Sequence, residues 1–180
     1  IKCLRLTGNF QSDLERASAV VAHELLPLVL AQDKRTPQPV KYLRLAQQCG
    51  GSDAFSGVSA NPIIGNVAER IIRQGGMAVI AETDELMGAE AHILAKVRDL
   101  STAEAFLESI DSFRRRMAQY GQSAEQNPSG GNNIRGIYNI TLKSIGAGMK
   151  KPRNVRLDHV LEYSQALPRV DDDDDKDGRP

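Results

Sequence analysis

Short apolar runs alternate with longer segments of helical periodicity over the first hundred residues, and this alternation constrains the fold more than any other feature. The pattern predicts strands over Lys2–Leu6, Val40–Ala46 and Met77–Ala81. It also predicts a helix after Asn61-Pro62, a pair typical of a helix start because Asn caps the helix and Pro fits its first position. Strand, helix and strand in this order favour a parallel sheet. The fold class is therefore α/β, a parallel sheet with flanking helices around a Rossmann-like core.

Further helical patterns fill the second half of the chain. Apolar residues at helical spacing predict helices over Asp84–Val97, Thr102–Tyr120, Ile137–Ile145 and Leu157–Gln165. Residues 1–168 are interpreted as one α/β unit, a truncated fragment of a catalytic core. The five aspartates Asp171–Asp175 repel one another and cannot be buried. Residues 169–180 are therefore predicted to be a disordered tail, either a remnant of an expression vector or an out-of-frame end.

The charge balance excludes whole classes of partner. Lys and Arg number 23, Asp and Glu also number 23, and aromatic residues make up 4% of the chain with no Trp. No net field attracts DNA, RNA or an anionic membrane, and no apolar run approaches the roughly 20 residues that span a bilayer. We therefore expect a cytoplasmic protein without nucleic-acid or membrane partners, in which Cys3 and Cys49 are reduced thiols.

The densest group of chemically useful residues follows the second predicted strand. This loop supplies glycines that let a ligand approach the backbone, together with a thiol, hydroxyls, a carboxylate and an amide: Cys49, Gly50, Gly51, Ser52, Asp53, Ser56 and Asn61. The carboxyl ends of parallel strands are where open α/β sheets bind ligands. The loop suits a polyhydroxy carboxylate, and on physical grounds it also suits phosphate. The alternative is a plain tight turn that caps the next helix.

Acidic and amide side chains follow the third predicted strand and a later loop. Glu82 and Glu85 should emerge at the same sheet edge as the glycine loop, where carboxylates serve as metal ligands or general bases. Alternatively, Glu85 lies in the first turn of a helix, where its negative charge interacts favourably with the helix dipole. Asn127 and Asn132 would bind hydroxyl groups or lie in a surface turn. Cys49 is either a metal ligand near Ser52 and Asp53 or a buried structural thiol.

Taken together, these loops resemble the altronate/galactarate dehydratase family. The resemblance covers about Val40 to Tyr163 and is carried by an ordered series of blocks: Gln48–Asp53, Phe55–Gly57, Ala60–Pro62, Glu82–Glu85, Gly88–Glu90, Asn127–Asn132 and Lys143–Gly146. The first block is the most specific. Family members with this pattern eliminate water from a sugar acid such as altronate or galactarate, and a related branch eliminates sulfite from sulfolactate. The Gly130–Asn133 loop looks closer to the second branch or to an uncharacterised one.

The resemblance implies a metal-dependent hydro-lyase. It implies a divalent metal, Fe²⁺ first and Mn²⁺ or Mg²⁺ as alternatives, with Cys49 and Glu82 as ligands. The catalytic residues would be Glu82, Asp53 and Glu85. The residues that bind the substrate would be Gly50, Gly51, Ser52, Ser56, Asn61, Asn127 and Asn132. We expect the fragment to need further N- and C-terminal regions or a small partner subunit, to form a homo-oligomer, and to be inactive alone. The alternatives are a carbon–sulfur lyase acting on sulfolactate and a non-catalytic module that binds sugar acids.

Overall fold

The computed structural model describes residues 3–32, 35–50, 52–81 and 83–168, and the chain forms two compact units, Ile1–Gln38 and Pro39–Pro180. The first unit contains helix α1 (Phe10–Val20), a wider π-helical turn (Val21–Leu25) and helix α2 (Leu26–Gln32). The π-helical turn ends at Leu25, two residues before Pro27. Proline has no N–H and its ring clashes with the preceding helical turn, so the helix widens there instead of ending.

The strand predicted over Lys2–Leu6 is wrong for Cys3–Leu6, and Lys2 lies outside the described residues. Those residues have no strand partner in the described part of the chain, because the following backbone is committed to a helix start. The Asp13 carboxylate accepts hydrogen bonds from the N–H groups of Thr7 and Gly8 at 2.8 and 3.0 Å. Asn9 caps helix α1, because its side chain accepts a hydrogen bond from the N–H of Ser12.

Two parallel strands form the sheet of the second unit. Strand β1 (Arg44–Gln47) pairs with β2 (Met77–Ile80), with Arg44 opposite Met77 and Gln47 opposite Ile80. Helix α3 (Ala60–Arg73) connects them and packs on β2. The α/β class and the parallel pairing are therefore confirmed. Strand β1 starts later than predicted, because Val40–Tyr42 forms a 3₁₀ turn.

Helices and 3₁₀ turns of different lengths follow the sheet. They are a 3₁₀ turn at Thr83–Leu86, α4 (Glu90–Ile93), α5 (Leu100–Gln119), a 3₁₀ turn at Ala124–Gln126, α6 (Gly130–Ile134) and α7 (Ile140–Gly148). The single helix predicted over Asp84–Val97 is wrong. Gly88 breaks it with a φ of +92°, a left-handed conformation that glycine adopts without strain.

The helix predicted over Leu157–Gln165 is also wrong. Leu157 forms a parallel bridge with Val97, in which its N–H donates to the Lys96 carbonyl and its own carbonyl accepts from Arg98 N–H. The apolar residues of this segment therefore face inward from an extended backbone. The spacing of its apolar residues fits either a helix or an extended strand, and the bridge with Val97 decides for the extended backbone.

The core lies behind the carboxyl edge of the sheet. Its buried members come from the segments that follow β2: Leu86, Met87, Ile93, Phe106, Ile110 and Ile140. Helix α5 contributes Thr102, Phe106 and Ile110, which are four residues apart and so share one face. The core therefore supports the loops that leave the sheet edge.

None of the described helices combines the length and the apolar composition that a membrane span requires.

The contact between α3 and the segment after α7 provides a test of this packing. A methyl group on Gly65 would lie 2.8 Å from the Met149 carbonyl oxygen and 3.1 Å from that of Lys150. Alanine normally favours a helix over glycine, but here it overpacks against backbone. We expect Gly65→Ala to lower the free energy of unfolding by about 1–3 kcal/mol.

Urea unfolding monitored by circular dichroism measures this change. The control is Gly130→Ala, because no atom lies within 4 Å of the added methyl group. We expect the control to be neutral or slightly stabilising. A Gly65→Ala protein as stable as the control would contradict the close approach.

Candidate active site

A buried ion pair lies directly beyond strand β2. The Lys143 ammonium is 2.9 Å from Glu85 Oε1, and the two side chains are only 10% and 8% exposed. Lys143 also donates to Asn127 Oδ1 at 2.7 Å. The Asn127 amide in turn donates to Asp84 Oδ2 at 2.5 Å. These contacts join the 3₁₀ turn after β2, the loop before α6 and helix α7 into one polar network.

The two carboxylate oxygens of Glu85 differ in their contacts. Oε2 is buried and has no hydrogen-bond donor among the described residues. Lys143 keeps a positive charge beside the other oxygen, so the carboxylate is compensated on one side only. A buried acceptor without a donor costs free energy that a bound ligand can recover. One carboxylate oxygen of Glu85 is therefore paired with Lys143, and the other is left without a donor in the described part of the chain.

Cys49 brings the loop after strand β1 to the same network. The Lys150 ammonium lies 3.0 Å from Cys49 Sγ. Burial raises the pKa of the Cys49 thiol most, and the nearby Glu85 raises it further, while contacts with Ser52 and Lys150 lower it. Because the net direction is upward, the thiol is neutral at pH 7 and donates a proton instead of acting as a thiolate.

Asn132 fixes the glycine loop against helix α6. Its amide nitrogen donates to the Ser52 carbonyl at 2.9 Å, and its amide oxygen accepts from Ser129 N–H at 2.9 Å. Asn132 is buried, so both ends of its side chain are used within the protein. The backbone of Ala54 also donates to the Arg135 carbonyl, which adds a second contact between these loops.

Five of the predicted site residues therefore lie in one network: Cys49, Ser52, Glu85, Asn127 and Asn132. Three others hold the backbone of the loop. Asp53 Oδ1 accepts from Ser56 N–H at 2.6 Å, and the Ser56 hydroxyl donates to the Asp53 carbonyl at 2.7 Å. Asn61 donates to the Gly146 carbonyl at 2.8 Å. Gly50 is exposed, and Gly51 and Glu82 lie outside the described residues.

The interpretation of Asn61 as a helix cap is wrong. Helix α3 begins one residue earlier, at Ala60, with Ser59 in the cap position. The buried Asn61 side chain is then inside the helix and connects it to helix α7. Asn61 therefore positions α7, and Lys143 with it, relative to the loop.

Sequence reasoning missed two lysines, Lys143 and Lys150. The signal for Lys143 is its spacing, because it falls between Ile140, Ser144 and Ala147 on the buried face of α7. A lysine on a buried face needs an acidic partner. The acidic block Glu82–Glu85 is already part of the site predicted from the sequence. Lys150 follows the helix and shows no periodic pattern, so only the fold reveals that it is buried beside Cys49.

The described donors do not fit a metal ion. Among the described residues, no three or more His, Cys, Asp or Glu side chains form a group that could hold one. Lys150 donates to Cys49 Sγ, and Lys143 pairs with Glu85 Oε1. The Cys49 sulfur and this Glu85 oxygen therefore each already have an ammonium group as a partner. Cys49 and Glu82 as metal ligands therefore stay a prediction, and Glu82 is outside the described residues.

The chain is similar in sequence to proteins of one known family. The family model described as D-galactarate/altronate dehydratase, C-terminal, matches residues 40–170. The altronate dehydratase of Escherichia coli (strain K12) is 34% identical over 157 residues, which are 87% of this chain and 31% of that protein. The Bacillus subtilis altronate dehydratase is 34% identical over 135 residues, or 75% of this chain and 27% of the relative. The (2R)-sulfolactate sulfo-lyase subunit beta of Chromohalobacter salexigens is 31% identical over 134 residues, or 73% of this chain and 34% of that subunit.

The fold is an α/β domain with a buried polar network at the carboxyl edge of a parallel sheet. The chain belongs to the D-galactarate/altronate dehydratase family of hydro-lyases, whose C-terminal model covers residues 40–170 within the second unit. It spans about a third or less of the length of the curated relatives described above.

The buried ion pair predicts a large effect on stability. Lys143→Met should lower the free energy of unfolding by about 3–5 kcal/mol, because it leaves Glu85 charged and unpaired in the interior. Urea unfolding of the variant measures the loss. The control Arg73→Met removes a pair with Glu69 in which Arg73 is 57% exposed, and it should cost at most about 1 kcal/mol. Equal losses in the two variants would contradict the buried pair.

The Cys49 thiol predicts a difference in reactivity. Because burial raises its pKa, iodoacetamide at pH 8 should alkylate Cys49 at least about tenfold more slowly than the exposed Cys3, since the thiolate is the reactive form. The folded pKa lies above the unfolded value, so the associated stability is present at neutral pH and declines as pH rises past about 8.5. Mass spectrometry of the two peptides measures the rates, and unfolding in urea should equalise them. Faster labelling of Cys49 in the folded protein would contradict the site.

Proposed function

We propose that this chain supplies the acid–base centre of a sugar-acid dehydratase, which eliminates water from altronate or galactarate to give a 2-keto-3-deoxy acid. The observation that carries the proposal is Glu85, which has one carboxylate oxygen paired with Lys143 and the other without a donor among the described residues. The family relationship supplies the substrate class. The physical requirement is a base beside a positive charge, because proton removal next to a carboxylate creates an anion.

Each step uses a named group. Glu85 Oε2 takes the proton from the carbon next to the substrate carboxylate, and the electron pair of that C–H bond forms the C=C bond. The hydroxyl on the neighbouring carbon leaves and takes a proton from Lys143, so that water is released. The enol then ketonises to the 2-keto-3-deoxy product. Lys143, between Glu85 Oε1 and Asn127 Oδ1, stabilises the developing negative charge until it gives up its proton.

The remaining residues bind and orient the substrate in this proposal. The neutral Cys49 thiol and the Ser52 hydroxyl donate to substrate oxygens, while Asn132 fixes the loop that carries Ser52. Asp53 and Glu82 remain predicted catalytic groups, and Gly50, Gly51, Ser56, Asn61 and Asn127 remain predicted contributors to substrate binding. A divalent metal, Fe²⁺ first, also stays a prediction, and metal analysis of an active enzyme checks it. The steps above use only side chains.

A carbon–sulfur lyase is the second candidate, because the sulfolactate sulfo-lyase subunit matches 73% of this chain at 31% identity. The same centre would take the proton, and sulfite would leave in place of hydroxide. That relative is one subunit of an enzyme, which favours association with a partner subunit here as well. Comparison of altronate, galactarate and sulfolactate as substrates separates the two reactions. A module that binds sugar acids without turnover would process none of them.

The test is a chimera in which this chain replaces the matching segment of the Escherichia coli altronate dehydratase. Glu85→Gln keeps the shape of the side chain and removes the base, so kcat should fall at least about 100-fold. Steady-state assay with altronate measures this fall, and circular dichroism checks the fold. The control is Glu108→Gln on helix α5, where the carboxylate is 65% exposed, and it should leave kcat unchanged. Equal rates for Glu85→Gln and the control would overturn the proposed base.

A further inference from the structure

A cavity of about 270 Å³ lies beside the candidate active site and has no part in the proposed reaction. Strand β2, helix α5 and the extended backbone that bridges to Val97 contribute to its wall. Ile80, Leu86, Ile93 and Phe106 supply apolar surface. A volume near the lower end of the range for ligand pockets fits a small metabolite.

The same wall is strongly cationic. Five of its side chains carry a positive charge, and within the described residues one carboxylate faces them: Lys41, Arg44, Lys150, Lys151 and Arg156 against Asp158. Arg156 pairs with that Asp158 at 2.5 Å, which leaves four cationic groups in excess. Lys150 reaches the neutral thiol of Cys49 and gains no opposite charge from it.

Lys151 is the group that most needs a ligand. The residue is 6% exposed, and its ammonium has no hydrogen-bond partner among the described residues. Its backbone is anchored, because the His92 ring nitrogen Nε2 is 2.8 Å from the Lys151 carbonyl oxygen. Burial, and to a lesser extent the charge of Lys96, lower the pKa of Lys151 to about 8 against a smaller opposing effect of Asp158. An unpaired ammonium in this position is costly, and a bound anion would compensate it.

Gln47 adds a second unsatisfied side chain to the cavity wall. It is 4% exposed at the end of strand β1, and neither its amide nitrogen nor its amide oxygen has a partner in the described part of the chain. An amide that both donates and accepts matches a carboxyl group or a hydroxyl group. Two buried, unsatisfied polar side chains on one cavity wall are unusual in a folded protein and point to a missing ligand.

We propose that this cavity binds the carboxylate of a small organic acid, with Lys151 and Gln47 as its polar contacts and the apolar wall around its carbon chain. Inorganic phosphate would neutralise the charge but leave the apolar surface without a partner. Lys150 belongs both to this wall and to the contact with Cys49. Occupancy of the cavity is therefore felt at the candidate active site, although the proposal does not depend on the reaction assigned to that site.

Binding to the 180-residue chain tests the proposal directly. Calorimetric titration with glutarate should give saturable binding, whereas glutaramide, which has the same shape and no charge, should bind at least about tenfold more weakly. Lys151→Met should weaken glutarate binding about ten- to a hundredfold, the loss expected for one charge-assisted hydrogen bond. The control Arg115→Met removes a cation of helix α5 that is 61% exposed and should leave affinity unchanged.

Three outcomes would overturn the site. They are equal binding of glutarate and glutaramide, unchanged affinity in Lys151→Met, and phosphate binding as tight as that of glutarate. The ligand comparisons use the unmodified chain, so they decide the matter even if Lys151→Met does not fold.

Discussion

The ion pair between Lys143 and Glu85 is the interaction on which the site depends. A carboxylate placed directly after a buried strand, with 8% of its side chain exposed, must be paired or neutralised. Lys143 pairs with one oxygen, and helix α7 is consequently held against the 3₁₀ turn after β2. The other oxygen faces the interior without a donor within the described residues. One contact thus fixes the packing of α7 and leaves one buried carboxylate oxygen without a donor in the part of the chain that the structure describes, the atom that we propose as the base.

The parallel sheet and its polar edge could be predicted from the sequence, because both rest on local patterns. Met77–Ile80 is a short apolar run after a glycine pair, and the loop after β1 combines glycines with polar residues. The segment around Leu157 could not be predicted, because its pairing with Val97 joins residues 60 positions apart in the chain. Gly88 illustrates a third case, in which one left-handed residue divides an otherwise helical pattern. Lys143 could have been found from its position on the buried face of α7, whereas the burial of Lys150 depends on the fold.

Lys150 and Lys151 are adjacent in the sequence but have different contacts. Lys150 touches the Cys49 thiol at the candidate active site, while Lys151 is buried without a partner among the described residues beside the cationic cavity. The backbone that carries them is held by two contacts, since Gly65 leaves room for the Lys150 carbonyl oxygen and the His92 ring nitrogen Nε2 lies 2.8 Å from the Lys151 carbonyl oxygen. Groups without chemistry of their own thus help to place the two charged side chains. In our account Lys150 connects the cationic cavity to the candidate active site.

The central claim is that Glu85 removes the proton next to the substrate carboxylate. The most direct measurement follows deuterium exchange from D₂O into that position of unreacted altronate, using the chimera with the Escherichia coli altronate dehydratase. The account predicts exchange in the chimera with Glu85 intact and none above background in Glu85→Gln, with altronate binding retained in both. Exchange at an undiminished rate in Glu85→Gln would contradict the account.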